Sequence, residues 1–154
     1  MNIIKQAHKL LINKKKTIAI AESCTGGLIS TYLTSMPGSS KYFILALTAY
    51  SNKAKEKILK IPHSIINKKG AVSKEVAELM AKNIRRISKA DFGISTTGIA
   101  GPTGATVNKP VGTVFVCLTA NNFTQTKKLK LKGSRHNIRI QASKAALKLL
   151  KKYI

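Results

Sequence analysis

The stretch Thr17-Ile18-Ala19-Ile20-Ala21-Glu22-Ser23-Cys24-Thr25-Gly26-Gly27-Leu28-Ile29 decides the fold. Thr17 to Ile20 is a short apolar run with the length of a buried strand. After Gly27, the residues Leu28, Ile29, Tyr32, Leu33 and Met36 recur at helical spacing. Ala21 to Gly27 is therefore a strand-to-helix turn, where unpaired backbone N–H groups and the positive end of a helix dipole face outward. Gly26 and Gly27 let another backbone or a ligand approach closely. Ser23 stands where the strand ends, and Thr25 near the expected helix N-cap. Two readings stay open from these residues alone. The hydroxyls cap the helix, or the turn presents a nucleophile beside donors for developing negative charge.

Outward from this turn, helices and strands alternate. Asn2 to Asn13 is a helix, with Ile4, Ala7 and Leu11 on its apolar side, and Lys14-Lys15-Lys16 ends it. The helix that begins after Gly27 runs to about Ser35, and Pro37-Gly38-Ser39-Ser40 is a turn. Phe43 to Tyr50 is nearly continuous apolar sequence, as expected of a strand buried on both faces. A short helix follows to about Lys60. On its wheel Ala54, Ile58 and Leu59 face one side and Lys55 projects between Ile58 and Leu59, while Lys53, Lys57 and Lys60 point away with Glu56. A lysine on the inward side either snorkels past its neighbours to water or is held inside. Pro62 ends that helix.

Ser73 is a good N-cap for a helix to about Lys89, with Val76, Met80, Ile84 and Ile87 as its stripe and Glu78 paired to Lys82. Asp91 to Ser95 is a third strand, and it enters the Gly/Thr-rich loop Thr96 to Gly104. Such a loop can bind an anion through backbone N–H groups. Val111 to Thr119 is a fourth strand, and the lysine-rich Thr124 to Leu131 suits a sheet edge. Gly133-Ser134-Arg135 leads into the last helix, whose stripe is Ile138, Ala142, Ala145 and Leu149. Arg135 and Arg139 sit in its first turns, where the dipole disfavours cations. They are either solvated, or Arg135 meets an anion or a carboxylate. The pattern predicts an α/β fold: one domain over residues 1–154, a three-layer α/β/α sandwich with a mixed, mostly parallel sheet. In such sheets ligand sites gather where strands end. That places the Ser23 turn, Tyr50 and the Thr97–Gly104 loop on one edge.

Composition narrows the chemistry. The chain has 154 residues, 44% of them hydrophobic, which suits a globular domain with its own core. No apolar run approaches the roughly 20 residues that span a bilayer, and no signal-peptide pattern opens the chain. Cys24 and Cys117 form no C-x-x-C, and His8, His63 and His136 are isolated, so no metal or zinc-deaminase pattern is present and no cofactor is expected. The cytoplasm is the expected compartment. The formal net charge is +23, with only five acids, Glu22, Glu56, Glu75, Glu78 and Asp91. The lysines are spread along the whole chain without interleaved aromatics, so they predict solubility and attraction for small anions rather than specific nucleic-acid binding. The oligomeric state, monomer or homo-oligomer, is left open by the sequence.

Seven stretches then come in one order: AESCTGG (21–27), PGSS (37–40), YSNKAK (50–55), GAVS (70–73), TGIAGPTG (97–104), KPVGTV (109–114) and the G-x-R-x-x-x-R pattern of Gly133, Arg135 and Arg139. The chain resembles the CinA C-terminal domain family, whose stand-alone members include nicotinamide mononucleotide deamidases. The resemblance spans nearly the whole chain. It implies hydrolysis of the carboxamide of nicotinamide mononucleotide to nicotinic acid mononucleotide and ammonia, in NAD salvage and without a metal. It implies Ser23 as nucleophile, Lys55 as base and Tyr50 as a proton-handling neighbour. Thr97, Gly98 and Gly101 would line the substrate site with Thr25, Gly26 and Gly27, and Arg135 and Gln141 match positions in the family's last helix. The residues agree with such chemistry. An amide is a poor electrophile, so the serine must lose its proton as it attacks. Lys55 serves only if neutral, and its ordinary pKa of about 10.4 must fall. Burial between Ile58 and Leu59 and neighbouring lysines are expected to lower it. Backbone N–H groups of Cys24 to Gly26 would hold the oxyanion, and Arg135 the substrate phosphate.

Two departures stand out. Many members carry an aspartate before the last-helix arginine, where this chain has Ser134, so an aspartate that orients Arg135 is missing. The segment Thr103 to Asn108 lacks the acidic residues common in relatives. The alternative function is a non-catalytic pyridine-nucleotide-binding or regulatory domain, in which Ser23 is only a cap. The role of Glu22 is expected to be hydrogen bonding within the turn.

Overall fold

Asn2 begins the first helix: its side chain accepts a hydrogen bond from the Ile4 N–H at 2.8 Å. The computed structural model describes residues 2–154, and Met1 lies outside them. Helix α1 (Ile3–Lys14) ends on Lys15 in the left-handed region. Strand β1 (Ile18–Glu22) is buried at every residue and lies inside the sheet, next to one edge strand. Helix α2 (Leu28–Thr34) and a single 3-10 turn (Ser39–Lys41) lead to β2 (Phe43–Thr48). Helices α3 (Asn52–Lys57), α4 (His63–Lys69) and α5 (Lys74–Ser88) then precede β3 (Phe92–Gly98). Strands β4 (Thr113–Thr119) and β5 (Thr124–Lys130) form a hairpin, and α6 (Arg135–Tyr153) closes the chain.

The five strands lie in the order β2-β1-β3-β4-β5. Pairings of β1 with β2 and β3 are parallel, and those of β4 with β3 and β5 are antiparallel. Four strands thus share one direction and β4 alone is reversed. One face is covered by α1, α2 and α6, around Leu11, Ile20, Ile29, Val116, Leu147 and Leu150. Helix α5 covers the other, around Ala19, Ala21, Met80 and Ile84. Gly93 lets that helix sit directly on β3, since a Cβ there would lie 2.2 Å from the Ala81 carbonyl oxygen. The expected α/β sandwich is what the chain forms.

Several elements differ from expectation. The Phe43–Thr48 strand is an edge strand, half-buried, with Ile44 49% exposed, so it is not buried on both faces. Its apolar residues cover the ends of both cores while the far side is open, and the register skips at Ile44. Helix α4 is an addition: Pro62 ends one segment and also opens the next, as its N-cap. Ser73 caps α5 as expected, its Oγ accepting from the Val76 N–H at 3.3 Å. Glu78 pairs with Lys74 at 3.8 Å and accepts from Thr126, not with Lys82. Ile87 ends the α5 stripe in solvent, 46% exposed. Ile58 is also exposed, while Leu59 is buried.

Candidate active site

The site is built at one edge of the sheet, where β1, β2 and β3 all end. Ser23 follows β1 directly, and its N–H continues the ladder by donating to the Thr96 carbonyl at 3.0 Å. The turn after it is fixed from inside. Glu22 is fully buried and accepts five hydrogen bonds: from Thr25 Oγ1 (2.6 Å), Ser30 Oγ (2.6 Å) and the N–H groups of Gly27 (3.0 Å), Ile29 (3.2 Å) and Ser30 (2.9 Å). Its charge thus rests on the N-terminal amides of α2, which favour an anion. Glu22 hydrogen-bonds the turn, as expected.

The N-cap of α2 is Gly27, at φ 93°, and not Thr25. Thr25 is fully buried, bonded to Glu22 and to Thr96 Oγ1 at 2.7 Å, so it faces the interior and not a ligand. Gly26 and Gly27 are likewise outside the cavity lining. What approaches them is the Arg139 guanidinium and Thr48 Oγ1. These three positions shape the turn without lining the site.

Lys55 is the centre of the constellation. Ser51 caps α3, its Oγ accepting from the Ala54 N–H at 3.0 Å, and the helix directs Lys55 inward. Lys55 is 1% exposed. Its Nζ donates to Ser23 Oγ (3.0 Å), the Ala49 carbonyl (3.0 Å) and the Tyr50 carbonyl (3.1 Å). Both carbonyls belong to the segment that leaves β2. Burial lowers the Lys55 pKa from 10.5 to about 8. Burial alone does this; the nearby Cys24 acts in the opposite sense, and no neighbouring lysine contributes. The same burial pushes the Cys24 thiol up to about 12, which leaves it protonated and a poor nucleophile.

Ser23 and Lys55 open onto a cavity of about 550 Å³. Tyr50, Thr97, Gly98, Gly101 and Arg135 line it too, all of them expected site residues. Thr97 Oγ1 donates to the Ala71 carbonyl at 2.8 Å, tying the β3 end to the segment before α5. Tyr50 stands at the rim, 56% exposed, and its hydroxyl accepts from Arg135 Nη2 at 2.8 Å. Its contact with the Ser23–Lys55 pair is through its carbonyl. Arg135 also donates from Nη1 to the Gly101 carbonyl at 2.8 Å. It therefore meets a carbonyl and a hydroxyl, neither an anion nor a carboxylate. Ser134 caps α6 by accepting from the Asn137 N–H at 3.2 Å, so Arg135 is oriented by Gly101 and Tyr50.

Gln141 lies outside the cavity lining. It is exposed on α6, and its Nε2 donates to the carbonyls of Lys132 (2.8 Å) and Asn137 (3.2 Å). Its neighbour Arg139 was legible only as part of a pattern, yet its Nη2 donates to the Thr25 carbonyl at 2.9 Å. Asn52, Ala71, Val72 and Thr103 also line the cavity; they lie within the stretches YSNKAK, GAVS and TGIAGPTG, whose pattern does not single them out as site residues. Among the described residues no three His, Cys, Asp or Glu side chains come together as a metal site. None of the described helices is long and apolar enough to cross a membrane.

Comparison with known proteins places the chain and its fold. The family model for the CinA C-terminal domain matches residues 1–154. A protein of Thermoanaerobacter pseudethanolicus named for competence-damage induction is 49% identical over 146 residues, 95% of this chain and 35% of that protein. The chain thus spans about a third of the length of the curated relatives it matches. Among solved structures, competence/damage inducible protein CihA of Agrobacterium tumefaciens superposes with a TM-score of 0.92 at 33% identity, covering 97% of this chain and 94% of that one. Competence damage-inducible protein A of Klebsiella pneumoniae gives 0.94 at 26% identity, covering 99% and 97%. With its whole length matched and its fold shared, the chain belongs to the CinA C-terminal domain family.

Proposed function

We propose that the chain is an amidohydrolase that cleaves the carboxamide of nicotinamide mononucleotide, releasing ammonia and leaving nicotinic acid mononucleotide. Ser23 is the nucleophile and Lys55 the base. The observation that carries this reading is the 3.0 Å contact between Lys55 Nζ and Ser23 Oγ where both open onto the cavity. With Lys55 neutral, its lone pair takes the Ser23 proton as Oγ attacks the amide carbon. The carbonyl oxygen becomes an oxyanion. Of the N–H groups after Ser23, that of Gly26 is spent on the Ser23 carbonyl at 3.0 Å and Thr25 is fully buried outside the cavity lining, so that of Cys24, which lines the cavity, is the donor for it. The proton then passes from Lys55 to the leaving nitrogen, and ammonia departs from a Ser23 ester. Water attacks that ester with Lys55 again as base, the bond to Ser23 Oγ breaks, Lys55 returns the proton to Oγ, and the acid leaves. Arg135 at the rim is placed to meet the phosphate, and the positive net charge draws the anionic substrate in.

Ammonia release from nicotinamide mononucleotide by chelator-treated protein tests the reading, with Ser23→Ala alongside. Release that the variant loses supports the reaction, its metal independence and the nucleophile together. Binding of the nucleotide without release, by folded protein, turns the reading to a non-catalytic nucleotide-binding domain.

A further inference from the structure

Two cations occupy the first two turns of α6, where the dipole disfavours them. Arg135 is accounted for by Gly101 and Tyr50. Arg139 is half-buried and lies outside the cavity lining, and its guanidinium donates from Nη2 to the Thr25 carbonyl, 2.9 Å away. The same nitrogen rests against Gly26, where a Cβ would lie 3.1 Å from it.

The peptide unit that Arg139 holds is held at its other end as well. The Gly26 N–H, which belongs to the same Thr25–Gly26 unit, donates to the Ser23 carbonyl at 3.0 Å. In a trans peptide the C=O and N–H point in opposite directions. Fixing the oxygen therefore fixes the direction of the N–H, and with it the Ser23 carbonyl. Gly26, at φ +59° and without a Cβ, imposes little restraint of its own on that plane. The restraint is supplied from α6, across 114 residues of chain.

We propose that Arg139 is a positioning residue for the nucleophile: by fixing the Thr25–Gly26 peptide plane it sets the Ser23 backbone, and so aims Oγ and the Cys24 N–H. This rests on the reading of Ser23 as nucleophile. Lysine at 139 keeps a charge but not a planar group that can both donate to Thr25 and lie on Gly26.

The test compares parent, Arg139→Met, Arg139→Lys and Arg139→Ala in two assays. One is steady-state ammonia release from nicotinamide mononucleotide. The other is the rate at which a fluorophosphonate labels Ser23, read by mass spectrometry, in which Oγ bonds to phosphorus, fluoride leaves and Lys55 takes the proton. Arg139→Met is expected to lower kcat and the labelling rate about 100-fold, the cost of a misplacement near 1 Å, with KM little changed. Arg139→Lys recovers part of this, and millimolar guanidinium restores part of the kcat of Arg139→Ala. A general loss of structure would instead be worsened by that denaturant.

Unchanged kcat and labelling in Arg139→Met, a loss confined to KM, or no effect of guanidinium each overturns the proposal. If Arg139→Met does not fold, Arg139→Lys decides by the same two rates. Labelling of Ser23 in a parent that releases no ammonia defeats the nucleotide reading, yet leaves the labelling comparison to decide Arg139. A Ser23 that no variant and no parent labels overturns both.

Discussion

Lys55 Nζ faces Ser23 Oγ at 3.0 Å through one position of a tetrahedral nitrogen whose other two are taken by the carbonyls of Ala49 and Tyr50. Two N–H groups are thereby committed to carbonyl oxygens in either charge state. The third position carries a proton in the ammonium and the lone pair in the amine. The proton that Lys55 loses is therefore the one that faces Ser23 Oγ, and no rotation is needed to present the lone pair to it.

Replacing Lys55 by arginine keeps a cation in place but removes the lone pair, because a guanidinium stays protonated. Lys55→Arg is expected to lose about 10³-fold in ammonia release, the scale of a general base. Turnover within tenfold of the parent would assign the base elsewhere.

The rate should depend on pH in one direction. Lys55, lowered to about 8, is protonated below that value and has no lone pair to offer. The logarithm of kcat/KM is expected to rise with unit slope from pH 6, level off above about 8, and so span about 100-fold. Initial rates of ammonia release between pH 6 and 9 measure it. A flat profile across that range would exclude Lys55 as the titrating base.

Glu22 holds the Ser23 turn by accepting five hydrogen bonds. Glu22→Gln turns one acceptor oxygen into an NH₂ that faces N–H or O–H donors. The expected loss is about 3 kcal/mol of stability, as for charged hydrogen bonds broken in the interior. Urea unfolding of the two proteins checks this, and equal midpoints would show that the carboxylate charge is dispensable.

What was legible in the sequence was local. The Ser73 cap, the α5 stripe and the inward side of α3 follow from spacing, because helical periodicity and capping are set by residues within a turn of each other. Lys55 was recognisable as inward for that reason, although the exposed Ile58 shows that its apolar surroundings are not the ones the wheel suggested. Non-local facts were out of reach. An apolar run such as Phe43–Thr48 reads alike at the middle or the edge of a sheet, since strand order is fixed by crossovers and not by the strand itself. Thr25 and Gln141 carry polar groups suited to a ligand, but Glu22 and the Lys132 carbonyl claim them first. The Arg139 contact with Thr25 joins positions far apart in the chain.

Lys55 also links function to stability. In the unfolded chain its pKa is the ordinary 10.5, and in the fold about 8. Between these values the unfolded chain binds a proton that the native state has released, so stability rises with pH across that window. Below about 8 both states are protonated and the cost of burying the ammonium, about 3 kcal/mol, is fully present. The other basic residues among the 28 Lys and Arg titrate too, and the comparison must cancel them. Lys55→Met does so: it keeps every other charge, and its loss of three hydrogen bonds is a constant offset in pH. The stability of the parent minus that of Lys55→Met is expected to be flat below about pH 8. Above it the difference should climb by about 1.4 kcal/mol per pH unit. Urea unfolding of both proteins at pH 7, 8, 9 and 10 measures it. A difference that stays flat to pH 10 would mean that Lys55 titrates alike folded and unfolded, and would leave Ser23 without a neutral amine beside it near neutral pH.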